Sequence, residues 1–273
     1  MGVLENIAAE LVAALDAAPG TAPKYVQFYE QILQNIECGE WKPGDRLPPD
    51  SEFARELPIS LGTIQKAMNM LADDGVIARR HGHGTFVSDM ATPEEEIRHF
   101  HFITGNDDVH LPVYTRILSV ESVQEGGPWS QFLSADEAFV RVTRVAGVNL
   151  EFQTYSQVFL SRERFGFILD MPIRELDRAA FNYMLSTRFN APTLRTVQHF
   201  RATEIPADVC AAIEVEAGTL GMHWELYGYT YRDAPISYQH VYVPPAEDRL
   251  RIGTPPTPYI YRPSHGQAPR GMV

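Results

Sequence analysis

Residues 39–88 read GEWKPGDRLPPDSEFARELPISLGTIQKAMNMLADDGVIARRHGHGTFVS, and their punctuation decides the fold. A helix starting near Asp50 must close at Pro58, because proline clashes with a continuing helical turn and has no backbone N–H to donate. Ser60 can then cap a new helix through its hydroxyl, and Ile64, Ala67, Met68 and Leu71 recur at helical spacing to about Asp73. The opposite side of that helix carries Thr63, Gln65, Lys66 and Asn69, all able to hydrogen-bond. After Asp74-Gly75, VIARR and TFVS are two β-prone runs separated by His81-Gly82-His83-Gly84, the pattern of a hairpin with a glycine-permitted turn. Upstream, Pro23 leads into KYVQFYEQILQNIE, where Tyr25, Phe28, Tyr29, Ile32, Leu33 and Ile36 form an apolar helical stripe. Helix, helix, tight turn, helix and hairpin over 23–88 predict a winged helix-turn-helix.

Working outward, the leading residues 1–22 carry Leu4, Ile7, Leu11, Val12 and Leu15 at helical spacing and lack a basic start, unlike a secretory signal. They predict a helical extension, and with no membrane-spanning apolar run they point to a cytoplasmic protein. Residues 89–96 are polar, contain Pro93 and end in three glutamates, as a linker would. From 97 to 252 the periodicity becomes β-type: IRHFHFI, VYTRILSVESV, AFVRVTRVAGV, LEFQTYSQVFL, LRTVQHFRATEI, GMHWELYGYTY and PISYQHVYV, with helical stretches at 178–189 and 206–215. Long antiparallel strands with a few helices define an α+β domain. Residues 253–273 are Pro-rich without periodicity, which predicts a disordered tail.

Composition restrains the functional reading. The chain's formal net charge is −12, and residues 21–90 hold seven Lys and Arg against ten Asp and Glu, so charge alone does not suggest nucleic acid. The motif carries that reading. Cys38 and Cys210 lie far apart with no ligand spacing, which excludes a disulfide or zinc framework and suggests two buried thiols. His81-x-His83 and His99-x-His101 could each face one way along a strand, yet no carboxylate or cysteine partner is identifiable near either, so no metal site is expected. No cofactor motif is present. Paired acid and base residues, G-x-S-x-G, a phosphate loop and H-E-x-x-H are all missing, so an enzyme is not expected.

The stretch 23–88 resembles the DNA-binding domain of the GntR family, through P-G-D-x-L-P, the spacing to Ser60-x-x-Thr63-Ile64, L-x-x-x-G-x-I-x-R and the closing G-x-G-T-F-V. Residues 97–252 are similar to the UTRA domain of the HutC subfamily, whose fold is related to chorismate lyase. That match rests on Arg98-x-Phe100, Arg141-Val142-Thr143-Arg144, Arg188-Phe189-Asn190-Ala191-Pro192 and Asp233-Ala234-Pro235-Ile236. The resemblance implies a homodimeric transcriptional regulator, a repressor by family habit, that binds double-stranded operator DNA and responds to a small-molecule effector. Its DNA contacts would come from Ser60, Thr63, Gln65, Lys66 and Asn69 on the recognition helix and from Arg79, Arg80, His81, Gly82 and His83 on the wing. Family members usually place arginines where this chain has Ser51, Leu61 and Gln65, so its operator core should differ from theirs. For the effector, the resemblance and strand alternation together select His101, Arg116, Arg144, Tyr155, Gln157, His240 and Tyr242. A second arginine and two glutamates expected for sugar-phosphate sensing fall on Ala146, Ser156 and Ser237, which points instead to a small carboxylate or nitrogenous metabolite.

Overall fold

Proline and serine act where expected. Helix α1 runs Lys24–Glu37 after Pro23, α2 runs Asp50–Glu56, and α3 runs Leu61–Asp73 with Ser60 as its cap. The Ser60 hydroxyl accepts the Thr63 backbone N–H at 3.3 Å, which satisfies one of the orphan donors of the first turn. Ser60→Ala is expected to cost about 1 kcal/mol, read as a lower thermal midpoint; an unchanged midpoint would show that the cap is dispensable. The hairpin follows as β1 (Ile77–Arg80) and β2 (Gly84–Val87), paired Ile77 to Val87 through Arg80 to Gly84. The P-G-D-R-L segment adds to this wing: Leu47 N–H donates to Thr85 O, Val87 N–H to Asp45 O, and Arg46 bridges to Phe86. The computed structural model describes residues 7, 9, 22–88, 100–104, 109–111, 113–133, 138–149, 151–178 and 181–252. The proposed linker 89–96 and tail 253–273 lie outside the described residues, as does nearly all of the leading extension.

The head's core is built from the apolar stripes. Phe28, Ile32, Phe53, Ile64, Met68 and Leu71 are fully buried, with Phe28 and Phe53 edge-to-face at 5.3 Å. Ile7, from the leading segment, is buried in the same cluster. Cys210 is buried as expected, but Cys38 is exposed, because it caps the end of α1 beyond the last buried residue, Ile36.

The second part is a six-stranded antiparallel sheet. Its strands are β5 (Val113–Val123), β6 (Phe139–Val148), β7 (Phe152–Ser161), β8 (Arg195–Glu204), β9 (Leu220–Tyr229) and β10 (Pro235–Val243), in spatial order β5-β6-β7-β10-β9-β8. A three-stranded sheet joins β3 (Phe100–Thr104), β4 (Val109–His110) and β11 (Arg249–Ile252) in the order β11-β3-β4. One face of the large sheet buries Val140, Val142, Val158 and Leu160 against residues of α5 (Arg162–Phe165), α6 (Ile173–Arg178) and α7 (Phe181–Phe189). The other face meets α4 (Pro128–Phe132) at one end, where Trp129 stacks on Phe159 at 3.8 Å, and α8 (Ala207–Ala212) at the other, where Val209 and Cys210 pack with Val145 and Tyr155. None of the described helices is long and apolar enough to cross a membrane.

Candidate functional site

Two surfaces carry chemistry. On the head, α3 buries Ile64, Ala67, Met68 and Leu71 and leaves Leu61, Gln65, Lys66 and Asn69 exposed, as a 3.6-residue period requires. Not all of the predicted DNA-contact residues are equally available. Thr63 Oγ1 and Ser60 Oγ hydrogen-bond to each other at 2.8 Å, and the Lys66 ammonium sits 3.6 Å above the Tyr25 ring. On the wing, Arg79 reaches Asp50 at 3.4 Å, Arg80 lies over the Phe86 ring, and the His83 ring meets the His81 carbonyl at 2.9 Å. Gly82 turns the hairpin at φ +73°. A groove between α3 and the wing is lined by Leu61, Gln65, Arg79 and also Arg46, a residue that sequence reasoning passed over although it sits inside P-G-D-R-L-P. Gly84 makes room for it: a Cβ there would meet Arg46 Nε at 2.9 Å.

The second surface lies on the sheet face between α4 and α8. Strand register decides its membership. Tyr238, His240 and Tyr242 of β10 stand opposite Phe159, Gln157 and Tyr155 of β7 and opposite Tyr227, Glu225 and His223 of β9. Four of the predicted effector residues, Tyr155, Gln157, His240 and Tyr242, therefore meet on one face. Arg116 pairs with Val145 and shares that face, but it is exposed on edge strand β5. Arg144 pairs with Ile117 and Ser156 and so belongs to the opposite face, one residue out of step with Thr143. The side chain of His101 lies outside the described residues.

The assembled residues form a hydrogen-bond chain. Arg201 Nε–H donates to His223 Nδ1 at 3.0 Å, His223 Nε2 meets His240 Nδ1 at 3.4 Å, and His240 Nε2 meets Gln157 Oε1 at 2.8 Å. The Gln157 amide then donates to Tyr155 Oη at 2.9 Å. All links are satisfied when each histidine is neutral and protonated at Nε2, since a proton at either Nδ1 would point donor against donor. Burial, chiefly, with His223 and Arg141 nearby, pushes the His240 imidazole down to about 4 against the opposing pull of Glu225. His223 is lowered by burial and then by Arg201. Tyr238, bonded to Glu225 Oε1, is raised by burial and by that carboxylate. Arg201, His223 and Glu225 were missed in the sequence. GMHWELYGYTY shows the alternation of 223, 225 and 227, but nothing in it names the partner strand.

The two surfaces are joined. The β9–β10 connection inserts Tyr231 into the head's core cluster, only 5% exposed. The Tyr231 hydroxyl donates to Asn190 Oδ1 at 3.2 Å, and the Asn190 amide donates to the Ile36 and Glu37 carbonyls at 2.6 and 3.0 Å, closing the C-terminal end of α1. Arg232 reaches Glu30 at 2.6 Å and Glu37 at 2.9 Å. Asn190, Arg232 and Asp233 all have positive φ, a conformation non-glycine residues keep only where their surroundings hold them.

A winged helix-turn-helix head fastened to an antiparallel sheet with a half-buried polar strip defines a two-part class of protein. Residues 24–87 match the description "Bacterial regulatory proteins, gntR family" and residues 110–247 match the UTRA domain, so the chain belongs to the GntR family in its UTRA-bearing, HutC-type form. The histidine utilization repressor of Pseudomonas putida is 40% identical over 79 residues, 29% of this chain and 31% of that protein. The arabinose metabolism transcriptional repressor of Geobacillus stearothermophilus is 35% identical over 77 residues, 28% of this chain and 21% of that protein. These matches thus span less than a third of the relatives' own length. The crystal structure of PhnF from Mycobacterium smegmatis is similar over 78% of this chain and 92% of that one, at 16% identity and a TM-score of 0.45.

Proposed function

We propose that this protein is a cytoplasmic, homodimeric transcriptional repressor whose grip on operator DNA changes when a small metabolite docks beside the His223–His240–Gln157 strip. One observation carries the reading: the connection that seats Tyr231 in the head's core is continuous with β9 and β10, the strands that hold His223 and His240. A ligand that shifts these strands shifts the head. Because a dimer reading two half-sites needs a fixed head spacing, a small reorientation is enough to change affinity. The strip mixes neutral imidazole, amide and phenol groups with Arg201 at one end and Glu225 opposite His240, which suits a small carboxylate or nitrogenous metabolite. DNA contacts fall to Gln65, Lys66 and Asn69 with support from Arg79, Arg80 and the His81–His83 turn.

The test is fluorescence anisotropy of the full chain against DNA from upstream of its own gene, at several salt concentrations, with a panel of small metabolites. Tight, salt-sensitive, sequence-selective binding that one metabolite weakens is the expected result. Binding that stays at the non-specific level under every condition overturns the reading. His240→Leu, which breaks the chain in its middle, is expected to abolish the metabolite's effect while leaving DNA affinity within about twofold.

A further inference from the structure

We propose that the recognition helix is an A·T reader: the operator half-site carries A·T pairs, not G·C pairs, where α3 meets the base edges. This rests on the DNA-binding reading above and goes on to name the sequence class. Leu61, Gln65 and Asn69 are spaced i, i+4, i+8 and form one exposed stripe, directly behind which Ile64, Met68 and Leu71 anchor the helix. A carboxamide offers one acceptor and two donors on a planar group. That pairs with adenine, which shows a donor at N6 and an acceptor at N7, whereas guanine shows two acceptors and leaves the amide oxygen facing O6. Leu61, 42% exposed at the N-terminal end of the helix, is suited to the thymine methyl group and has nothing to offer cytosine.

Groups that would read guanine are held elsewhere. Lys66 is the one cation on α3, and its ammonium rests over Tyr25 of α1. Arg79 and Arg46 line the same groove as Gln65, but neither projects from α3: Arg79 is engaged by Asp50 of α2, and Arg46 lies against Gly84 of the wing. Ser60 and Thr63 are tied to each other at the cap.

The test is selection of full-length protein on a pool of duplexes with random cores, followed by anisotropy titrations on the enriched site and on copies with single pairs exchanged. The expected core is A·T, each A·T to G·C exchange under α3 weakens binding about tenfold, and Gln65→Arg moves the preference at one position to guanine. An enriched core that depends on guanine, or a Gln65→Ala protein that discriminates as well as the parent, overturns the A·T assignment and leaves the regulator reading standing. A pool from which no sequence is enriched overturns both. Because Gln65 is exposed, salt-dependent binding to random DNA serves as the control that each variant is folded.

Discussion

Tyr231→Ala is expected to remove about 3 kcal/mol of stability and to uncouple the DNA-reading head from the sheet. The ring comes from the sheet's β9–β10 connection yet is buried among head residues, so its truncation leaves a cavity between two parts of the chain that, among the described residues, pack little apolar surface elsewhere against each other. Among the described hydrophobic residues, Leu194 is the other one from the sheet side packed on the head cluster. Burial, with Glu37 close by, raises the Tyr231 phenol well above its usual range, so the group is neutral at every relevant pH. Tyr231→Phe keeps the ring and loses only the bond to Asn190 Oδ1, a cost of about 1 kcal/mol. The ion pairs of Arg232 with Glu30 and Glu37 are half exposed and contribute less than about 1 kcal/mol each, so their role is orientation. Thermal melts of both variants, with anisotropy in the presence and absence of metabolite, decide the matter. Parental stability and parental metabolite response in Tyr231→Ala would show that the ring does not bind the parts together.

Acidification from pH 7 to pH 5 is expected to cost about 2 kcal/mol of stability through His240 alone. Its folded value of about 4 lies below the ordinary 6.5. Above 6.5 both folded and unfolded chains hold the ring neutral, and pH has no effect through this group. Between 6.5 and about 4 the unfolded chain takes up a proton that the folded chain refuses, so stability falls as pH falls. Below about 4 both states are protonated and the loss levels off. His223, shifted in the same direction, adds to the slope. The physical cause is first the burial of the ring, which penalises its charged form, and then the neighbouring His223 and Arg141, with Glu225 pulling the other way. Urea denaturation midpoints at pH 5, 6 and 7 measure the effect, and His240→Gln should flatten most of it. A variant with the parental slope would place the proton uptake elsewhere.

The head was legible almost completely. Pro58, Ser60 and the turn glycines act within a few residues of themselves, and apolar positions at a 3.6 period can face only one way in a helix, so 24–87 needed no distant partner to be read. The six long strands were legible for the same local reason. The shorter pieces were not: Pro128–Phe132, Arg162–Phe165 and Val109–His110 are too brief to show a period. In the candidate effector strip, Tyr155, Gln157, His240 and Tyr242 followed from alternation along single strands. Arg144 did not fall in with them, because parity within β6 has meaning only against the register with β7, and that register puts Thr143 opposite Gln157.

By itself, then, the sequence determined the winged head, the α+β character of the rest and the family resemblance, all products of local periodicity and of residues with special backbone chemistry. Tertiary structure alone decided that His223 of β9 stands beside His240 of β10, that Arg201 closes their hydrogen-bond chain, and that Tyr231 leaves the sheet to complete the core of the head. Each of these is a pairing across space between segments that carry no mark of one another, set by which arrangement buries the most apolar surface while pairing most of the polar groups it buries.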